Sequence, residues 1–158
     1  GVMYPDNDER AIFFAKGVVE TVKKLNWVPD IIHVHGWMAA LLPVYMKYFY
    51  KDEALFANTK IVTSVYGQSF DGNLDMELMN KVSFDGIPAE AIKDLETPNY
   101  ENIIKASVLH SDAVIVASEA LSPSLTKFIE SSKKPFLPFA SKDKFAEAYT
   151  DFYKKMLL

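Results

Sequence analysis

Residues 30–41 read DIIHVHGWMAAL, a β-branched run that ends in a glycine and leads into an amphipathic segment. The run Ile31–His35 predicts a buried strand, because β-branched residues favour strands and its two faces show no clean apolar–polar alternation. Met38–Tyr48 predicts a helix with one apolar face. Pro43 is compatible with that helix only in its first turn, where no backbone N–H is needed.

Strand and helix patterns alternate along the rest of the chain. Further strands are predicted at Lys60–Val65, at Ala113–Ala117 and, as an edge strand, at Pro135–Pro138. One helix is predicted to follow the capping oxygens of Asp6–Asp8, a second to begin at Pro98, a third to follow a cap at Ser118, and a fourth to span Phe145–Leu157. Residues 74–97 show only short amphipathic pieces. This alternation predicts an α/β fold, a parallel sheet with helices on both faces, as one domain over residues 1–158.

Composition excludes several classes of function. The chain has 158 residues, a net charge of −4 and no cysteine. Disulfides and thiolate metal sites are therefore excluded, and a cytoplasmic location is expected. The acidic balance argues against nucleic acid and anionic membrane partners, which attract basic patches. The sequence also contains no dinucleotide-binding fingerprint, phosphate loop or nucleophile elbow.

In parallel α/β sheets, ligands bind at the carboxyl ends of the strands. That rule places candidate site residues at His35–Trp37, at Tyr66–Gln68 and at Ser118–Glu119. Gly36 suits a sharp turn or a close approach to a ligand, and Trp37 suits a core anchor or a stacking platform. Tyr66 and Gln68 suit sugar hydroxyls or a hydrogen-bonded turn, and Ser118–Glu119 suits a helix cap or a ligand contact.

The histidines raise the question of a metal. His33 and His35 are two residues apart on a strand and are expected to point to the same face. They form a metal pair only with a further ligand, which the sequence does not supply, since His110 is expected to cap its helix. The alternative is that both pack or orient the following loop. We expect no metal and no cofactor.

Two segments resemble a known family. Asp8–Phe14 and Asp30–Leu41, continued by Leu42-Pro43, resemble the amino-terminal half of glycogen/starch synthases, whose strand reads Asp-hydrophobic-hydrophobic-His-x-His-Asp-Trp. Lys60–Val65 looks like the next strand of that family, and His110–Ser118 like a later one. The resemblance spans residues 8–130 and is most specific in its first third.

This resemblance implies a fold and an activity. Such enzymes transfer glucose from ADP-glucose or UDP-glucose to an α-1,4-glucan without a metal, in a cleft between two Rossmann-like domains. It therefore implies nucleotide sugar and α-glucan as partners. The residues implied to line the cleft are His33, His35, Gly36, Trp37, Tyr66, Gly67 and Gln68.

The chain also departs from the family. Gly36 stands where the family has aspartate, and Tyr66 stands where it has the histidine that contacts the donor sugar. We expect Gly1 to begin an excised piece that lacks the opening strand and the carboxyl-terminal domain, so no catalytic residue is assigned and the chain alone is expected to be inactive. The alternatives are a non-catalytic glucan-binding or partner-binding module of the same fold and an unrelated α/β enzyme.

The expected loss of the opening strand has a structural consequence. In the family that strand lies beside the one matched by Ile31–His35, so its absence leaves an apolar strand at an open edge. Open edges invite pairing with another chain. We therefore expect a homodimer or strand exchange through Ile31–Val34.

Overall fold

The computed structural model describes residues 3–158, so Gly1 and Val2 of the predicted domain lie outside the described residues. Within that range the centre is a sheet of four parallel strands in the order β1-β2-β3-β4, with bounds Ile31–His35, Lys60–Val65, Ala113–Val116 and Phe136–Leu137. The predicted parallel sheet is confirmed, and β1 lies at one edge with β4 at the other.

The register of the strands decides which side chains share a face. Val34 of β1 lies beside Thr63 of β2, and His33 lies beside Val62. Because side chains alternate along a strand, these two pairs point to opposite faces of the sheet. The sheet therefore has a Val34 face and a His33 face.

Helices flank the sheet in the part of the chain described. The α-helices α1 to α6 are Asn7–Lys24, Leu42–Tyr48, Leu78–Phe84, Tyr100–His110, Pro123–Ser131 and Phe145–Met156, and 3-10 turns occur at Trp37–Ala39, Ala54–Phe56 and Ala89–Glu96. Helices α1 to α5 all contribute buried apolar residues to one core, which also includes Val34 and Val114. That core therefore lies on the Val34 face.

The His33 face is covered by α6. Tyr153 of α6 forms a 2.5 Å hydrogen bond with Nδ1 of His33, and α6 also contacts β4 at the other edge. Beneath it, Val62 and Ile115 are fully buried although they do not belong to the main core. The prediction of helices on both faces is thus confirmed, with α6 crossing the sheet from β4 to β1.

Helix α2 begins later than the sequence indicates. The predicted helix Met38–Tyr48 divides into the 3-10 turn Trp37–Ala39 and α2, which starts at Leu42. Pro43 falls in the first turn of α2, as expected. The missing N–H of proline therefore costs no helical hydrogen bond.

The predicted caps of two helices are wrong. Ser122 rather than Ser118 caps α5, accepting a 3.2 Å hydrogen bond from the backbone N–H of Leu125. Helix α1 has Asp6 at its N-cap position without a capping hydrogen bond, because the Asp6 carboxylate instead pairs with Arg10 at 3.0 Å.

The predicted start of α4 is confirmed, since Asn99 Oδ1 accepts a 2.9 Å hydrogen bond from the backbone N–H of Asn102. None of the helices in the described range is long and apolar enough to cross a membrane.

Candidate functional site

The loops that follow β1 and β2 meet at the carboxyl ends of these two strands. His35 is the last residue of β1, Gly36 and Trp37 follow it, and Tyr66 and Gln68 come from the loop after β2. Together with Ser69 and Tyr100 they line a groove of about 400 Å³, which we call the strand-end groove. The structure therefore brings five of the seven proposed cleft residues to one groove.

A hydrogen bond joins the two loops. His35 Nδ1 lies 2.7 Å from the Tyr66 hydroxyl. Burial lowers the pKa of His35 and raises the pKa of Tyr66. Because the histidine loses its proton more easily and the phenol holds its proton more tightly, the pair is neutral at pH 7. This edge of the groove offers hydrogen-bonding groups without charge.

His33 lies beneath the groove rather than in it. Its ring lies 3.9 Å from the ring of His35 between centroids, so the two histidines share a face as predicted. Ser64 Oγ lies 2.8 Å from its Nε2, and the Tyr153 hydroxyl contacts its Nδ1. Both ring nitrogens therefore have hydrogen-bond partners, which favours the packing role over the metal pair. Within residues 3–158, no group of three potential His, Cys, Asp or Glu ligands occurs.

The environment of His33 predicts a pH dependence of stability. Burial, followed by the nearby His35, lowers the pKa of His33 to about 4. The unfolded chain binds a proton near the ordinary histidine pKa of about 6.5, so between these values it holds more protons than the folded chain. The free energy of unfolding should therefore fall as pH drops from about 6.5 to 4, by about 1–2 kcal/mol after allowance for solvent screening of the partly exposed ring.

Urea unfolding of the chain at pH 7, 6, 5 and 4 measures this effect. His33→Asn should reduce the slope over that window, whereas the contributions of His35 and His110, whose pKa values burial also lowers, remain in both proteins. An equal fall in both proteins would assign the pH dependence to other groups.

Gly36 provides the turn that carries the chain from β1 into the groove wall. Its φ is 72° and its ψ is 165°, a conformation that residues with a Cβ rarely adopt. Trp37 follows and is half-buried, with its ring 5.1 Å from that of Phe70. The Phe70 ring lies 5.8 Å from that of Tyr100. Trp37 therefore both anchors the loop and contributes to an aromatic wall.

Gly67 and its neighbours are held by the segment after β3 and by Tyr100 of α4. The Gly67 N–H donates a 2.9 Å hydrogen bond to Ser118 Oγ, and the Tyr100 hydroxyl donates a 2.7 Å bond to the Tyr66 carbonyl. A Cβ on Gly67 would lie only 2.4 Å from the Ala120 carbonyl oxygen. The close approach of the two loops therefore requires glycine at this position.

Other candidate residues lie elsewhere. Glu119 lines an apolar pocket beside β4 and does not reach the groove. His110 Nδ1 lies 2.7 Å from the Ala106 carbonyl at the end of α4, as expected for a cap, although burial lowers its pKa and so favours the neutral ring.

Sequence reasoning missed Tyr100 and Ser69, which line the groove from α4 and from the loop after β2. It also missed Phe70, whose ring packs against that of Tyr100 beside the groove. The signal for Tyr100 was its place directly after a helix cap, at an end of α4 that faces the strand ends.

A second groove of about 330 Å³ adjoins the first. It lies between the loop after β2 and the start of α4, and we call it the helix-start groove. Tyr66, Ser69 and Tyr100 line both grooves. Asp71 and Glu101 line the helix-start groove but not the strand-end groove, and Asp71 also lines an adjoining pocket that contains Arg10.

Comparisons with known proteins agree with this architecture. Residues 2–129 match the protein family described as starch synthase catalytic domain. Glycogen synthase of Thermotoga maritima is 35% identical over 116 residues, which cover 72% of this chain and 23% of that protein. Glycogen synthase of Elusimicrobium minutum is 33% identical over 134 residues, covering 83% of this chain and 26% of that protein. The chain thus spans about a quarter of the length of these relatives.

A solved structure shares the fold. The catalytic domain of starch synthase IV from Arabidopsis thaliana, bound to ADP and acarbose, superposes with a TM-score of 0.65. The match covers 90% of this chain and 32% of that one at 17% sequence identity.

Proposed function

Because the chain belongs to the family of starch synthase catalytic domains, we propose that its strand-end groove forms one wall of a cleft for a nucleotide sugar and an α-glucan. The chain is a glycogen/starch synthase-like glycosyltransferase domain. The observation that carries the proposal is the neutral His35–Tyr66 pair beside Trp37 at the strand ends. Hydrogen-bonding groups beside aromatic faces suit a sugar ring, which has polar edges and apolar faces.

The proposed roles divide by position. His35, Gly36, Trp37, Tyr66 and Gln68 contact the sugar, Gly67 sets the position of the second loop, and His33 supports His35 from below. No residue is assigned a catalytic role. A cytoplasmic location stays a prediction.

We further propose that this chain alone does not transfer glucose. Glycosyl transfer from a nucleotide sugar must stabilise the departing diphosphate, for which cationic side chains and N–H donors are the usual groups. Neither groove is lined by a lysine or arginine among the residues that the structure describes. Arg10 lines a neighbouring pocket that shares Trp37 with the strand-end groove, but its guanidinium pairs with Asp6 at 3.0 Å. Stabilisation of the diphosphate is therefore assigned to groups beyond the two grooves.

Calorimetric titration and a glucosyl transfer assay test the proposal together. The chain is titrated with ADP-glucose, UDP-glucose, ADP, acarbose and maltotetraose, and incubated with each nucleotide sugar plus maltotetraose. We expect binding of at least one sugar ligand and no transfer. Absence of all binding would refute the proposed cleft, and transfer by this chain would refute the requirement for further groups.

The His35–Tyr66 bond also favours a second function, a non-catalytic glucan-binding module. A tyrosine hydroxyl that engages His35 is not a cation and cannot replace a protonated histidine near a developing charge. Transfer activity of the product of the full open reading frame separates the two functions. Activity there would eliminate the non-catalytic module, and glucan binding without activity would support it.

The open edge of β1 supports the proposal of a homodimer through Ile31–Val34. In the described range β1 pairs with β2 on one side alone, and the nearby Trp27 and Val28 are largely exposed apolar residues.

We expect light scattering at micromolar concentration to give twice the chain mass. Ile31→Lys should yield a monomer because it places a charge on that edge. The matched control Phe136→Lys on β4 should leave the dimer intact, and a monomeric wild-type chain would overturn the proposal.

A further inference from the structure

We propose that Tyr153 of α6 is a positioning residue, which acts through a relay of hydrogen-bonding groups to keep His35 in the tautomer that offers an Nε2–H donor to the strand-end groove. The inference rests on the proposed function only in taking a sugar oxygen as the acceptor of that N–H, because the tautomer is a property of the free chain. It also gives a role to α6, which lies outside the residues 2–129 that match the family.

The relay begins where α6 meets His33. The Tyr153 hydroxyl lies 2.5 Å from His33 Nδ1, and Ser64 Oγ lies 2.8 Å from His33 Nε2. His33 is neutral at pH 7, so one ring nitrogen carries a proton and the other accepts a hydrogen bond. The partner of one nitrogen decides which nitrogen is protonated. Because a phenol is a stronger donor than an aliphatic hydroxyl, Tyr153 donates to Nδ1, and His33 Nε2–H donates to Ser64.

The relay continues along β2 from Ser64 to Tyr66. These residues are two apart, which places their side chains on the same face where the strand ends. Ser64 is buried, and because its oxygen accepts a hydrogen bond from His33, its O–H is available for another acceptor. Burial and the nearby Tyr149 raise the pKa of Tyr66, and the Ser64 hydroxyl lowers it in part, as a donor towards the phenol oxygen does. The Tyr66 O–H is therefore directed away from Ser64.

The relay ends at His35. The Tyr66 hydroxyl lies 2.7 Å from His35 Nδ1 and donates to it, so the single ring proton of His35 lies on Nε2. Nε2 has no hydrogen-bond partner within residues 3–158, and His35 lines the strand-end groove. The groove is thus offered an uncharged donor. A hydroxyl or ring oxygen of a sugar accepts from this donor, whereas a group that can only donate finds no partner there.

Helix α6 provides a matched control for the hydroxyl of Tyr153. Tyr149 lies one turn earlier on α6, and its ring centroid is 6.0 Å from that of His33, compared with 5.7 Å for Tyr153. In the described range the Tyr149 hydroxyl forms no hydrogen bond, whereas that of Tyr153 contacts His33. Tyr149→Phe and Tyr153→Phe therefore remove the same atom beside the same ring, and only Tyr153→Phe breaks the relay.

Long-range proton–nitrogen NMR of the chain with isotope-labelled histidine, at pH 7, shows which ring nitrogen carries the proton. We expect the Nε2–H tautomer for His33 and His35 in the wild-type chain. Tyr153→Phe should give a mixture of tautomers at both histidines, Ser64→Ala should give a mixture at His35, and Tyr149→Phe should keep the wild-type pattern. An Nδ1–H tautomer of His35 in the wild-type chain would overturn the inference, and so would a Tyr153→Phe variant in which His33 alone changes.

Calorimetric titration with ADP-glucose and maltotetraose separates this inference from the proposed function. Tyr153→Phe should weaken binding of the sugar ligand by about threefold to tenfold, the value of one hydrogen bond, and Tyr149→Phe should bind as the wild-type chain does. If the tautomers are as expected and neither ligand binds the wild-type chain, the proposed function fails and the relay stands. If Tyr153→Phe alters the tautomer of His35 but binds the sugar ligand with wild-type affinity, Tyr153 does not position the groove.

Discussion

Lys81→Met is expected to lower the free energy of unfolding by about 3–5 kcal/mol, the usual cost of leaving a buried charge without its partner. Lys81 Nζ lies 2.6 Å from Oδ2 of Asp8, whose side chain is fully buried. The hydrogen bonds from Lys81 to Asp8 and Glu9 raise the pKa of Lys81. The other carboxylate oxygen of Asp8 has no hydrogen-bond partner in the range that the structure describes, so Lys81 is its main compensation.

Urea unfolding followed by circular dichroism measures this effect. Lys154→Met is the matched control, because Lys154 forms an exposed pair with Asp151 at 3.8 Å. Exposed pairs of this kind contribute about 0–1 kcal/mol. Adding Asp8→Asn to Lys81→Met should restore part of the loss, since it removes the uncompensated charge. A loss below about 1 kcal/mol in Lys81→Met would show that Asp8 is compensated in another way.

Gly67→Ala is expected to displace the loop after β2 and so to disturb the candidate site. The added Cβ would lie 2.4 Å from the carbonyl oxygen of Ala120, a backbone atom that cannot rotate away as a flexible side chain can. The loop after β2 must therefore shift, at a cost of about 1–3 kcal/mol in the free energy of unfolding. Because Tyr66 and Gln68 flank Gly67, the shift should also weaken sugar binding by at least about tenfold.

The same change at Gly17 provides the control. Gly17 lies within α1, and no atom lies within 4 Å of a Cβ built there. Gly17→Ala should therefore raise the free energy of unfolding by about 0.5–1 kcal/mol through helix propensity and leave sugar binding unchanged. Wild-type affinity and stability in Gly67→Ala would show that the loops adjust without cost.

The strands were predictable from local sequence. Ile31–His35 and Lys60–Val65 have the bounds expected of them, because β-branched runs bounded by proline, asparagine or glycine leave few alternatives. Residues 74–97 were predicted only as short amphipathic pieces, and the structure has α3 and the 3-10 segment Ala89–Glu96 there, the latter interrupted at Ile92. That kink lies between two short helical turns that bury Ile92 and Leu95, so neither helical nor strand periodicity describes the segment.

The site was predictable in location but not in detail. The rule that ligands bind at strand ends identified His35–Trp37 and Tyr66–Gln68, which line one groove. The same rule misplaced Glu119, because the segment after β3 places this residue in the pocket beside β4 and not in the groove. Tyr100 was missed because its position depends on how α4 packs against β2.

The sequence by itself determined the fold class, the family and the location of the site at the carboxyl ends of the strands, because each depends on short patterns within a few residues. Only the tertiary structure paired His35 with Tyr66, which is 31 residues away, and placed Tyr153 of α6 on His33, 120 residues away. Local propensities do not determine such contacts, because the contacts depend on strand register and on which face of the sheet each helix covers. DIIHVHGWMAAL thus identifies where the site lies, while the grooves and their charges come from segments that meet only after folding.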